Sequence, residues 1–180
     1  MITVVSGTNR RNSETLHFAR HYAAVTTSLT DAPVKLLSME DVPGAALSVD
    51  MYTGDGQHPA VRDLQDEYIL GAERFIFLLP EYNGGMPGVL KLFIDAVSIR
   101  NYAKNFKGKK AALVGIASGR AGNLRGLDHL NAVLQHMGTL VLPNKLPISS
   151  ITGMRNETGA IAHADTEAAI EAQVRQLLAL

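Results

Sequence analysis

The stretch SGTNRRNSETL, residues 6–16, sets hydroxyls at Ser6, Thr8, Ser13 and Thr15 beside the guanidinium groups of Arg10 and Arg11. Hydroxyls and the free main-chain amides of a helix start donate hydrogen bonds, and arginine adds positive charge, so the set suits a phosphate group. It lacks the second glycine and the lysine of a nucleoside-triphosphate loop, and it is not a GxGxxG dinucleotide turn. The same residues also fit a plainer role, in which Asn12 or Ser13 caps a helix and the arginines stand in solvent.

A second stretch, PEYNGGMPG at residues 80–88, combines an acid, an aromatic and an amide with Gly84, Gly85 and Gly88. Glycines let the backbone approach a flat ligand closely, and Tyr82 offers an aromatic surface. A glycine-rich turn ahead of a helix, with Tyr82 packed inward, fits as well. The third, ASGRAGNLRG at residues 117–126, brings Ser118, Gly119 and Gly122, a backbone-donor loop that could meet the far edge of a ligand held by the second. Serine and glycine are also ordinary loop residues.

Other spacings carry less. His17 and His21 stand one helical turn apart, a metal-compatible spacing, but without an HExxH pattern they read as a solvated face. The basic run at residues 100–110 could attract a nucleotide phosphate, yet it sits where a solvated connection is expected. Lys91 and Asp95 read as a surface pair.

These loops need a scaffold. Nearly continuous apolar, β-rich runs at residues 2–5, 34–37, 75–79, 111–116 and 139–142 predict five strands buried on both faces. Helical periodicity falls between and after them. Leu16, Ala19 and Ala23 mark one helix; Val61, Leu64 and Tyr68 a second, introduced by Pro59; Val89, Leu90, Phe93 and Val97 a third, with Pro87 in its first turn. Leu127, Leu130, Leu134 and Met137 mark a fourth, ended by Gly138, and Ile170, Val174, Leu177 and Leu178 the last, with Asp165 as its cap. Five alternations predict a doubly wound α/β domain, whose ligands bind beyond the carboxyl ends of the strands, where all three loops fall. Residues 38–58 hold no sustained period and read as a long loop or lid.

A chain of 180 residues suits one domain, here 1–180. Seventeen basic and seventeen acidic side chains cancel, which argues against a general nucleic-acid binder. With no cysteine, thiol catalysis and thiolate metal sites are excluded, so redox chemistry must come from a cofactor. No basic n-region opens the chain and no run reaches membrane length, so the expected location is cytoplasmic.

PEYNGGMPGVLKLFIDA resembles the pattern PEYN, two variable residues, PGxLKNxID of the NADPH-dependent FMN reductases, a flavodoxin-like family that includes quinone, azo-dye and chromate reductases. GTNRRNSET resembles their phosphate loop. The resemblance implies a flavodoxin-like three-layer sandwich around a five-stranded parallel sheet of order 2-1-3-4-5, which makes the first, third and fourth strands neighbours. It implies that Thr8, Arg10, Ser13, Glu14 and Thr15 surround the FMN phosphate, with the Glu14 side chain turned outward and only its amide used. Pro80, Glu81, Tyr82, Asn83 and Gly84 would contact the isoalloxazine. Ser118 and Gly119 would lie at its pyrimidine edge, and the amides of residues 118–120, Arg120 included, would stabilise the reduced ring. No side chain needs to act as a catalytic acid or base.

The implied activity is transfer of hydride from NADPH or NADH through FMN to a small-molecule acceptor, a quinone, free flavin, azo compound or metal ion, in ping-pong order and in a homodimer. Leu92, Ala96 and Asn123 depart from the family's frequent asparagine, tryptophan and glycine. Two further functions fit the chain: a flavodoxin-like electron carrier, though such carriers tend to be strongly acidic, and a flavin-free binding or regulatory relative.

Overall fold

The computed structural model describes residues 1–53, 56–156 and 160–180. Strands β1 (Ile2–Ser6), β2 (Val34–Ser38), β3 (Arg74–Pro80) and β4 (Lys110–Ile116) form a parallel sheet in the order β2-β1-β3-β4, with β5 (Leu140–Val141) and β6 (Leu146–Ile148) along the outer edge of β4. The expected order 2-1-3-4-5 is borne out, but the fifth strand is broken. Between the pairings Ala111↔Val141 and Val114↔Leu146 the edge chain spends two residues more than β4 does. Pro143 lies in that gap and has no N–H to give to a ladder, an omission that only an edge tolerates.

The helices are α1 (Glu14–Leu29), α2 (Pro59–Leu64, continued as a π-helical stretch over Gln65–Leu70), α3 (Gly88–Val97), α4 (Tyr102–Asn105), α5 (Leu124–His136) and α6 (Ala164–Ala179). Alternation along β3 divides the core. Phe75, Phe77 and Leu79 face Leu90, Phe93 and Val97 of α3 and Leu127, Leu130 and Leu134 of α5. Ile76 and Leu78 face Phe18, Ala19 and Tyr22 of α1 and Ile170, Val174 and Leu177 of α6. Helices thus cover both faces of a parallel sheet, which is why its strands read as continuous apolar runs. Among the described residues no helix is long and apolar enough to cross a membrane.

Four local expectations change. Residues 38–58 are irregular, but they are not a free lid: three short 3-10 turns (Met39–Asp41, Gly44–Leu47 and Val49–Tyr52) place Met39, Val42, Ala46 and Met51 in the core. Gly54 and Asp55 of that stretch lie outside the described residues. The cap of α6 is His163, whose Nδ1 accepts from the Thr166 N–H; Asp165 sits within the first turn. His17 and His21 are half-buried instead of solvated, because α6 packs on α1, and burial lowers the pKa of His21 with Glu167 opposing.

The fourth concerns the basic run, which is partly structural. Arg100 pairs with Asp66 and bonds Gln57 and Gln65, while the Lys109 ammonium donates to the carbonyls of Ile69 and Leu70 at 2.7 and 3.1 Å. Burial pulls the Lys109 pKa from 10.5 to about 8. Between those values the unfolded chain binds more protons than the folded one, so folding stability rises with pH across that window. Urea denaturation at pH 8 and pH 10 is expected to show this rise in the wild type and a smaller one in Lys109→Met.

Candidate functional site

The three loops meet because β1, β3 and β4 are adjacent and parallel, β3 and β4 ending level at Pro80↔Ile116 and β1 two residues short of them at Ser6↔Leu78. Gly7 N–H donates to Leu78 O at 2.8 Å, and a Cβ on Gly7 would lie 2.9 Å from that oxygen, so the end of β1 is pressed against β3. Thr8, fully buried, then ties the first loop to the second through a 2.7 Å hydrogen bond between its Oγ1 and the Tyr82 hydroxyl. The same oxygen accepts from the Arg10 N–H at 3.2 Å. Removing the phenol oxygen in Tyr82→Phe is expected to lower stability by about 1 kcal/mol, visible as a fall of about 2–4 °C in Tm.

Asn12, at φ 51°, turns the chain into Ser13, which caps α1 by accepting from Leu16 N–H at 3.1 Å. The first-turn amides of Glu14 and Thr15 keep no helical acceptor and remain available to an anion. Arg10, Arg11 and Arg120 line the same cleft and form no ion pair within the described residues; Arg20 and Arg125, outside its lining, form none either, whereas Arg62, Arg74, Arg100, Arg155 and Arg175 all do. Three of the five arginines without an ion pair among the described residues thus line this site, in a chain of zero net charge.

In the second loop Tyr82 and Gly85 exchange two 3.1 Å backbone hydrogen bonds around Asn83 at φ 52° and Gly84 at φ 78°. Two successive positive φ values across a two-residue connection are the signature of a type I′ hairpin turn, for which Asn-Gly is the favoured pair. The third loop ends at Gly122 (φ 57°) and Asn123 (φ 63°). Asn123 is buried; its Oδ1 accepts from Gly126 N–H to cap α5, and its Nδ2 donates to Leu79 O at 2.9 Å. The side chain that departs from the family's glycine thus ties the end of β3 to the third loop.

The loops enclose a cleft of about 530 Å³, within the usual range for small-molecule sites. Arg10, Ser13, Glu14, Thr15, Pro80, Glu81, Tyr82, Ser118, Gly119 and Arg120 line it, ten of the thirteen expected residues; Thr8, Asn83 and Gly84 do not. Thr8 lies beneath the lining as a strut, and Asn83 and Gly84 form the hairpin tip. Ile116, Ala117, Gly122, Asn123 and Ile151 also belong to the wall, with Arg11, Asn12 and Ala121. No local motif marks Ile151, which arrives from the segment after β6. Nor does the Glu14 side chain point freely outward: its Oε1 accepts from Arg155 Nη2 at 2.6 Å. Lys91 and Asp95 form the expected pair at 2.7 Å, away from the cleft.

This donor set fits FMN. Hydroxyl, first-turn amides and uncommitted arginines in its lining match a phosphate; Tyr82, Ile116 and Ile151 supply flat or apolar surface; and the exposed residues 118–120 add backbone to the same wall.

The family model described as NADPH-dependent FMN reductase matches residues 1–153. The chain is 33% identical over 148 residues to an NAD(P)H-dependent FMN reductase of Pseudomonas aeruginosa, covering 82% of this chain and 78% of that one. It is 29% identical over 141 residues to a 2-hydroxy-1,4-benzoquinone reductase of a Burkholderia species, covering 78% and 73%. Among solved structures, the flavoenzyme NAD(P)H:(acceptor) oxidoreductase FerB of Paracoccus denitrificans shares the fold with a TM-score of 0.78 at 23% identity, over 99% of this chain and 94% of that one. Fold, cleft chemistry and these matches agree: the chain belongs to the NADPH-dependent FMN reductase family.

Proposed function

We propose that residues 1–180 act as one FMN-binding domain that takes hydride from NADPH or NADH and reduces a small acceptor by a ping-pong scheme. The observation that carries this is the cleft itself, whose lining brings together a phosphate-suited helix start, the exposed loop at residues 118–120 and the surfaces of Tyr82 and Ile116. The bound flavin supplies the redox chemistry, accepting hydride and passing electrons on. Arg10, Arg11 and the first-turn amides of α1 hold the phosphate. Pro80, Glu81 and Tyr82 follow the ring, and the hairpin tip at Asn83 and Gly84 keeps that strand end rigid. The amides of residues 118–120 would stabilise negative charge on a reduced flavin held there. The cleft is open, so that with flavin bound the nucleotide and the acceptor would enter it in turn.

Quinones are the favoured acceptor class, since the Burkholderia relative is a quinone reductase. We place the protein in the cytoplasm, where reduced pyridine nucleotides are supplied, as a homodimer with no nucleic-acid partner. Exposed Leu92, Ile99 and Tyr102 on and beside α3 support the dimer, and the balanced charge supports the absence of nucleic acid.

The deciding experiment is an anaerobic visible spectrum of the protein with FMN, before and after NADPH or NADH. A bound-flavin spectrum that bleaches, then recovers with a quinone, is the expected result. Bound flavin that fails to bleach would make the protein an electron carrier, and absence of binding would leave the fold without the function.

A further inference from the structure

Glu14 opens α1, the helix whose start holds the phosphate in the function proposed above. A helix N-terminus favours one nearby anion, and a free carboxylate at its first residue would be that anion. A phosphate carrying nearly two negative charges would have to share the turn with it. The structure resolves the conflict from a distant part of the chain. Arg155, 141 residues away in sequence, donates to Glu14 Oε1 at 2.6 Å. Glu14 lines both the cleft and an adjoining cavity of about 510 Å³, and Arg155 lines the latter.

Arg155 is carried on an anchored segment. It bridges to Ile161, which is buried in the α1/α6 side of the core; Ala162 N–H donates to Met154 O at 2.8 Å, and buried Ile151 lies at the near end. The guanidinium is therefore delivered to Glu14 by backbone structure. Stability alone does not account for the pair, because its side chains remain 33% and 39% exposed and such pairs contribute little to folding. Arg155 also lies just beyond the matched residues 1–153.

We propose that Arg155 is a positioning residue for phosphate binding: by pairing with Glu14 it cancels a carboxylate charge at the helix start and leaves the first-turn amides to the FMN phosphate. With that pair neutral, Arg10, Arg11 and Arg120 face only Glu81 among the charged lining residues of the cleft. This rests on FMN binding as proposed above.

The test is a set of dissociation constants for FMN and for riboflavin, which lacks the phosphate, measured by flavin fluorescence on the full chain as wild type, Arg155→Gln, and Arg155→Gln combined with Glu14→Gln. Arg155→Gln is expected to weaken FMN roughly tenfold or more and to leave riboflavin unchanged. The double variant is expected to recover FMN affinity to within about twofold of wild type, since no carboxylate remains to be neutralised. Three results would overturn the proposal: unchanged FMN affinity in Arg155→Gln, equal losses of FMN and riboflavin, or no recovery in the double variant. Wild-type protein that fails to bind FMN would instead overturn the proposed function, and this inference with it.

Discussion

Gly115→Ala is expected to destabilise the fold by about 3 kcal/mol or more. A Cβ at residue 115 would stand 2.0 Å from Gly122 O and 3.1 Å from its carbonyl carbon. The obstacle is backbone, so no rotamer change relieves it. Gly122 cannot withdraw either, because it is held at φ 57° with the place for its own Cβ 2.6 Å from Pro147. Pro147 in turn belongs to β6, paired with β4 at Gly115 itself. The three residues form a closed stack of strand, loop and edge strand beneath the amides of residues 118–120. A chain of this size loses about 2–4 °C of Tm per kcal/mol, so a fall of roughly 10 °C is expected. FMN affinity should fall with it, because the loop bordering the cleft must shift. A thermal melt with and without FMN checks both effects, and an unchanged Tm would show that the stack is not tight.

Arg10→Ala acts on the first loop of the cleft, and on binding instead of folding. Arg10 is exposed, lines the cleft and forms no ion pair within the described residues, so its loss should leave the Tm of the flavin-free protein unchanged. FMN affinity should fall by about 1–3 kcal/mol, the range for a lost charge-assisted hydrogen bond, or roughly 5-fold to 150-fold in dissociation constant. Riboflavin binding should not change, and added salt should narrow the difference between wild type and variant. Fluorescence titration of the two flavins reads all of this. Equal effects on both flavins would remove the Arg10–phosphate contact.

Much of this was legible in the chain. Strands buried on both faces produce apolar runs whatever their neighbours, and a helix on a sheet must show its 3.6-residue stripe, so the five alternations and the order of the loops followed from local pattern. The Asn-Gly pair at residues 83 and 84 carried its own turn signal. In the structure the same two residues form the tip of a hairpin turn.

Other features depended on partners far away in sequence. Nothing in residues 38–58 announces a buried stretch, since Met39, Val42, Ala46 and Met51 follow no period; the core that receives them is built by α2 and α3. Lys109 and Arg100 belong to a basic run by composition, and only the carbonyls at the end of the π-helical stretch and the side chains of Gln57, Gln65 and Asp66 give them fixed roles. The break in the edge strand needed the register of β4 to become visible.

The sequence by itself determined the α/β alternation, the three loops at the strand ends and the residue types around the cleft, because these rest on periodicity and on side-chain chemistry within a few residues. Only the tertiary structure decided that Thr8 is a strut braced on Tyr82, that Asn123 joins the end of β3 to the third loop, and that Glu14 meets Arg155. Each is a contact across 44 to 141 residues, and such contacts are set by how the sheet stacks its strand ends, which no local pattern encodes.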